Sequence, residues 1–461
     1  MNMLKVDKDF QGLSGDNYPN AAVCPSDILP DMPSFSILDD GNQFVLDCLT
    51  GVEELRGLAE EWKHLEQTCG EPYIYFQSYD WCMKWCASFV DRRKIDENHF
   101  EPQIKLYILR RNGKLVLIWP MMLIKTTMGL ITQTFLSEPH GQYGNIICER
   151  KFLPEKIGKK VWHYIKETSV ADAIILDQYP QSSFLRKLIQ KDGIVESSDK
   201  HSSALDLTAF DTWEEYHASQ SRNMRKQRKQ RRNKLSKLGK LGYETHYGGS
   251  KRFAELVALG LEWKNIWLKQ TGRRAAVLSD KRTQDLLSNL TGHAETPYNS
   301  PTGAIIGVLT LDEQPIALEI GLCESGRFYS YLGAFNWDYK NYSPGKLQIE
   351  ETQKWAKAAG FKTFDFLGDP ADYKSAWTNS TDALESRSIA LNARGFLYCV
   401  FWKAYLRPVI RVVFNKLKPE FRSRLINLFG MGKKTTPENQ KAPYRAANKS
   451  VSSASAFASD K

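Results

Sequence analysis

The sequence predicts an α/β (α+β) protein of two side-by-side units, each a mixed, mainly antiparallel sheet flanked by helices. Three observations predict it. The same order of elements, helices then a hairpin then a helix then a strand, occurs twice along the 461 residues. The stretch from Phe328 to Gly368 reads as strand, loop, helix, strand. The chain is 42% hydrophobic, enough to bury one large core or two medium ones.

Residues 1–42 are rich in Asp, Pro, Ser and Gly without periodicity and read as a disordered leader. Residues 1–32 lack the apolar core of an export signal, so a reducing cytoplasm is expected. The first unit spans 43–200. Its first strand opens at Phe44, and Gly51 to Thr68 is helical, with Leu55, Leu58, Trp62 and Leu65 at spacings of three and four. Tyr73 to Val90 reads as a second, heavily buried helix. Ile104–Arg111 and Lys114–Ile124 are strands joined by Asn112-Gly113, a pair that accepts the positive φ of a tight hairpin turn. Pro120 is expected at an edge or bulge, because it offers no N–H to a ladder. A helix over Val161–Lys166 and a buried strand over Ala173–Leu176 complete the unit.

The second unit spans 201–394. Helices are predicted over Trp213–Leu241 and Phe253–Lys269, then strands over Ala304–Leu311 and Pro315–Cys323. From Phe328 to Ala334 aromatic and small residues alternate with the period of a strand. Ser343 is the expected N-cap, Pro344 the first helical residue, and Gly360 the stop. Lys362–Leu367 is apolar enough for a buried strand. The free N–H groups and positive dipole end at Pro344 favour an anion. Gly345 leaves room for its approach and Lys346 adds charge. A plain βαβ crossover with a Pro-Gly entry has the same appearance. The first unit has no such helix start, so only the second is expected to hold a phosphate-bearing ligand.

YSPGKL, a helix ending in AAGF, and then FDFLGDPADYKSAW together resemble the signature of GNAT-type acyltransferases of the CelD/BcsL kind, relatives of the Fem aminoacyltransferases. The aromatic-Asp-aromatic strand is Phe364-Asp365-Phe366, followed by Gly368, Tyr373-Lys374 and Trp377. The resemblance covers about residues 44–394 and implies tandem GNAT-like units. It also implies acetyl-CoA or another acyl-CoA as donor, and as acceptor a hydroxyl or amine of a sugar or exopolysaccharide precursor. The donor's phosphates then fall to Ser343, Pro344, Gly345, Lys346 and Leu347, and its pantetheine arm to Leu332, Gly333, Ala334 and Phe335.

Acyl transfer from a thioester needs an anchored donor, a polarised carbonyl and a proton acceptor. Glu319 is an acid in an otherwise apolar strand, where burial raises its pKa and suits it to a base; an edge carboxylate facing water is the alternative. Asp365 is the second acid, or else a hydrogen-bonded structural group. Tyr331 is placed to protonate the leaving thiolate, or is simply core. Lys374 is a partner for an anionic substrate or the oxyanion, or a surface lysine. His140, a lone His in a polar loop, has no Gly-x-Ser-x-Gly elbow beside it. There is no Walker loop and no spaced metal-ligand set. Of the 8 cysteines only Cys82 and Cys86 are close, on one helical face, and read as buried thiols.

The net charge of +10 calls for an acidic partner or surface. Residues 222–240 carry Arg222, Arg225, Lys226, Arg228, Lys229, Arg231, Arg232, Lys234, Lys237 and Lys240 without an acid. The run reads as a solvated or packing helix, or as a surface for an anionic membrane or substrate. It has no aromatic to stack bases, which argues against nucleic acid. Residues 395–429 form a basic amphipathic segment. Within 396–414, Lys403, Arg407 and Arg411 fall on one helical face opposite aromatics, as in a helix lying in a membrane interface or packing back on its own domain. Residues 430–461 read as a disordered tail. The alternatives to an acyl-CoA enzyme are a Fem-like transferase using aminoacyl-tRNA and a non-catalytic scaffold at the inner face of the membrane.

Overall fold

The computed structural model describes residues 34–90, 102–126, 128–273, 275–294, 300–368 and 374–406. The chain is mixed α/β, with one large open mixed sheet flanked by helices. In the first half the strands are β1 (Phe35–Asp39), β2 (Asn42–Leu49), β3 (Gln103–Arg111), β4 (Lys114–Lys125), β5 (Ile131–Phe135), β6 (Ile147–Cys148), β7 (Ala173–Pro180) and β8 (Ile194–Asp206). In the second half they are β9 (Leu241–Tyr247), β10 (Gly292–His293), β11 (Thr302–Leu311), β12 (Gln314–Glu324), β13 (Arg327–Phe335), β14 (Thr363–Asp365) and β15 (Ser380–Ala390). The helices are α1 (Val52–Gly57), α2 (Ala59–Thr68), α3 (Tyr79–Phe89), α4 (Glu155–Thr168), α5 (Phe184–Ile189), α6 (Trp213–Ser219), α7 (Arg222–Ser236), α8 (Lys251–Gln270), α9 (Ala276–Ser279), α10 (Lys281–Ser288), α11 (Pro344–Ala358) and α12 (Ala393–Leu397), which runs into a wider π-type turn over Tyr398–Leu406.

The strand order is β1-β2-β3-β4-β5-β7-β15-β8-β14-β13-β12-β11-β10, with β6 on β4 and β9 on β11. Each half makes an antiparallel meander whose last strand pairs in parallel with the next, across a helix. In the first half β5 meets β7 over Thr132–Thr134; in the second β13 meets β14 over Arg327–Tyr329. The halves then exchange strands. β8 leaves the first half to pair with β14, and β15 leaves the second to pair with β7. The boundary expected at residue 200 therefore falls inside β8.

On one face α1–α3 and α8–α10 share a single core with β3, β4 and β11–β13. Trp62, Trp81, Trp85 and Phe76 are fully buried there, each worth about 1.5–3 kcal/mol of burial. On the other face α4 and α5 cover the first half, while α6, α7 and α11 cover the second.

Several expectations need correction. β1 lies inside the expected leader, because Asp40-Gly41, both at positive φ, turn it into a hairpin with β2. The helix expected over 213–241 breaks at Gln220, where Ser221 caps α7, and Leu241 opens β9 instead. Pro120 sits in an interior strand, tolerated where the neighbour of β4 changes from β6 to β5. The strand expected over 362–367 shortens to β14. Asn112 and Gly113 do turn the β3–β4 hairpin at positive φ, and Cys82 and Cys86 are buried on α3. Residues 1–33 and 407–461, with Arg407 and Arg411 among them, lie outside the described residues, as does Tyr373.

Candidate active site

The site is a gap that the local sequence opens between β13 and β14. Their parallel pairing stops after Tyr329 and Asp365. On β13 the register against β12 slips between Ile320 and Gly321, leaving Tyr331 as a bulge residue, and bulges bend a strand. On the β14 side Leu367 has φ +66, the left-handed region that a branched side chain enters only when held there. Two groups hold it. Its N–H donates to Asp365 Oδ1 at 2.7 Å and its carbonyl accepts from Lys374 Nζ at 3.1 Å. β13 therefore runs on from Ser330 to Phe335 with no strand paired on its β14 side among the described residues.

At the end of β13 a turn over Trp337–Tyr342 delivers the chain to α11. Ser343 holds the N-cap position but is left-handed (φ 56), and its hydroxyl does not cap the helix. The expected Ser cap is thus corrected: the first turn, with Pro344 at its head and no acid in it, is left without a side-chain cap. Gly345 lies beside Phe335, and an added Cβ would sit 3.5 Å from that ring. Lys346 is exposed, Leu347 is buried beneath, and Arg231 of α7 approaches Lys346 closely enough to lower its pKa after desolvation. Gly333 leaves open space where a Cβ would point. Leu332 and Ala334 face the α8 core, and Phe335 lies against both the α8 and the α11 cores.

The four acid–base candidates do not converge. Asp365 is fully buried and already filled: Tyr143 donates to Oδ1 at 2.9 Å and Arg327 to Oδ2 at 2.9 Å, besides Leu367. Burial raises its pKa and Arg327 opposes the rise. Tyr331 gives its hydroxyl to the His140 carbonyl at 3.1 Å. Lys374 is buried and fastens the Leu367 kink. Glu319 is buried under α11, where the Ser330 hydroxyl donates to one carboxylate oxygen. The other oxygen has no partner among the described residues, and the neighbouring Thr352 hydroxyl is engaged with Gln348. Burial raises the Glu319 pKa. His140 is buried, bonded to Trp85 and Thr283.

One residue was missed. Lys264 of α8 is 1% exposed and its Nζ donates to the Gly333 carbonyl at 3.1 Å. Its signal was the helical period itself. Position 264 falls on the buried stripe, three and four residues from Gly260, Leu261, Trp267 and Leu268.

The basic run proves to be a packing helix on one side. Arg228 is buried, its guanidinium 4.2 Å from the Trp377 ring centre and 5.6 Å from Tyr216, and Leu235 is buried beside Leu347. Arg225, Lys226 and Lys229 remain exposed. Lys403 is likewise not on an outer face. It is buried and paired with Glu196, while Phe396, Leu397 and Phe401 are 54%, 57% and 60% exposed.

Residues 222–375, from α7 to just past the Leu367 kink, match the family model described as an acetyltransferase (GNAT) domain. The matched stretch contains the gap and the α11 start. Among curated proteins none matches the sequence. Solved structures similar to the chain include FemX (12% identity, 74% of this chain and 97% of that one, TM-score 0.49). Another is the C-terminal domain of a putative lysylphosphatidylglycerol synthetase from Agrobacterium fabrum (10% identity, 76% and 95%, TM-score 0.44). A third is a tandem GNAT protein from the clavulanic acid biosynthesis pathway (9% identity, 75% and 99%, TM-score 0.41). Among the described residues no group of His, Cys, Asp and Glu is arranged to hold a metal, and no helix is long and apolar enough to cross a membrane.

Proposed function

We propose that the chain transfers an acyl group from acyl-CoA to a hydroxyl or amine, with the donor's phosphates on the first turn of α11 and its pantetheine arm along Leu332–Phe335. The observation that supports it is the gap beside β13 leading to a helix start with no side-chain cap, inside the stretch that matches the GNAT domain. Backbone N–H groups there suit a pyrophosphate, and the unpaired edge of β13 suits the amides of the arm. The CelD/BcsL-like signature supports a sugar or exopolysaccharide precursor as acceptor. Calorimetric titration with CoA and acetyl-CoA tests the donor: saturable binding is expected in the intact protein, and a loss of at least about 100-fold in Gly345→Trp, whose ring fills the approach to the helix start. Absence of binding by folded protein overturns the reading.

A second reading has its own observation. Arg225, Lys226 and Lys229 are exposed on a helix packed along α11, which suits the backbone of an aminoacyl-tRNA donor. Activity sensitive to ribonuclease, with no CoA binding, would select it.

The inverted C-terminal segment supports association with an anionic membrane. With Lys403 turned inward, Phe396, Leu397 and Phe401 face outward, and Phe396 shares a cavity with the exposed Val170. The sequence beyond is basic, with Arg407, Arg411, Lys416 and Lys418. Co-flotation with vesicles containing phosphatidylglycerol is expected, and is lost on Phe396→Ser with Phe401→Ser. Equal flotation of the double variant would dismiss this surface.

A further inference from the structure

We propose that Lys264 is the proton-transfer group of the acyl-transfer site, taking the proton of the incoming nucleophile and returning it to the departing thiolate. The proposal rests on the acyl-CoA reading above and adds a residue to it.

Asn336 N–H donates to Ile316 O at 2.9 Å across the β12–β13 pair. In an antiparallel ladder alternate residues face the partner strand. Asn336, Ala334 and Leu332 therefore turn their backbone groups toward β12, and Phe335 and Gly333 turn theirs away, into the gap. Lys264 Nζ lies 3.1 Å from the Gly333 carbonyl, so its amine stands in the gap, where the donor arm would pass. α8 carries it there from one face of the sheet, while Glu319 stands on the other. The neighbouring Leu318 packs against Gly260 of α8, so Glu319 points to α11 and is sealed beneath Gln348 and Thr352.

The chemistry of the amine agrees. Burial pushes the Lys264 pKa down to about 7, and the like charge of Arg273 adds to the fall. Both forms are thus populated near neutrality, as a group that accepts and returns a proton requires. Lys264 and Arg273 each have a further interaction besides those named. Tyr331 bonds to His140, Arg282 of α10 pairs with Asp280 at 2.7 Å, and the ring of Trp267 lies 5.1 Å from Nζ. Asp285 of α10 has interactions of its own.

The step balances without a further reactant. The acceptor's oxygen or nitrogen attacks the thioester carbon as its proton passes to the Lys264 amine. The carbon–sulfur bond breaks, and the thiolate takes the proton from the ammonium, giving acylated acceptor, CoA thiol and the original amine.

The test uses free CoA, whose thiol would stand where the thioester stood. Its ionisation is followed by thiolate absorbance in the ultraviolet, with the protein saturated as judged by calorimetry. The expected result is a bound thiol that titrates about one pH unit or more below free CoA, because the Lys264 amine takes its proton and the resulting ammonium holds the thiolate at ~4–6 Å. Lys264→Met, of similar length and apolar, is expected to return the thiol to its free value with CoA affinity within about threefold. Glu319→Gln is expected to leave the lowered value in place. No lowering in the intact protein, or a lowering that survives in Lys264→Met, overturns the assignment; the intact-protein titration stands even if the variant does not fold. Failure of CoA to bind at all is a different result, and falls on the donor reading instead.

Discussion

The two halves of the sheet repeat one plan, and in only one of them does the last meander strand outrun its parallel neighbour beside an uncapped helix start. In both, a meander ends in a strand that pairs in parallel over three residues with the strand beyond the next helix. In the first half β5 stops one residue later, at Phe135. The loop that follows crosses into the second half, where Tyr143 bonds Asp365 and the His140 carbonyl takes the Tyr331 hydroxyl. In the second half β13 continues to Phe335, past the bulge at Tyr331 and opposite the kink at Leu367. The helix starts differ as well. α4 carries Glu155 in its first turn, whereas α11 has Gly345 and Lys346 and no acid. The gap in the second half thus comes from strand length, one bulge, one strained residue and one helix start. The first half became the wall that closes it.

The largest effect is expected from separating the halves. Fragments 1–200 and 201–461 should each fail to show a cooperative thermal transition, because the cut divides β8 and parts β15 from β7 and from the first half of β8. A sharp transition in either fragment alone would mean the halves are autonomous. Next comes Asp365→Ala, which removes the group that Tyr143 from the first half and Arg327 from the second both reach. It leaves the Arg327 charge and the Tyr143 hydroxyl without that partner. A loss of about 3–5 kcal/mol in denaturant unfolding is expected.

A third prediction concerns like charges at the seam. Burial, then the negative field of Glu66, pushes the Glu324 carboxyl from the ordinary 4.5 up to about 8. The folded state therefore holds this proton more tightly than the unfolded one. Its contribution is full below about pH 4.5 and is lost as pH rises through 8. Glu324→Gln should melt higher than the parent at pH 8, with the advantage gone at pH 4. Equal melting at both pH values would remove the seam from the account. The smallest effect sharpens the contrast of helix starts. Glu155→Lys gives α4 a charge like that of α11 with a small fall in melting temperature, since it meets the helix dipole and loses the pair with Lys159. It should add no second CoA equivalent in calorimetry, because no gap adjoins α4.

Much of the site was legible in local sequence. The Pro-Gly-Lys helix start, the alternating strand before it and the Gly360 stop are properties of neighbouring residues and stand where they were expected, whereas Ser343 holds its position without capping. Glu319 was marked by being an acid in an apolar strand, and burial does raise its pKa. The sequence could not assign partners to the acids. Asp365 is filled by Tyr143, 222 residues away, and no local pattern encodes such a pairing. Lys264 stands on the helical period, yet only packing shows that position 264 reaches the Gly333 carbonyl.

By itself, then, the sequence determined what short-range physics governs: which segments are helix or strand, where a helix start favours an anion, and which chain face is apolar. The tertiary structure decided the exchange of β8 and β15, the gap left where β13 outruns β14, the inward turn of Arg228 and Lys403, and the side of the sheet on which each ionisable group falls. Those outcomes depend on strand register and on contacts between residues far apart in the chain. A one-residue slip of register moves every side chain of a strand to the other face, so the chemistry of this site is set by how distant strands align.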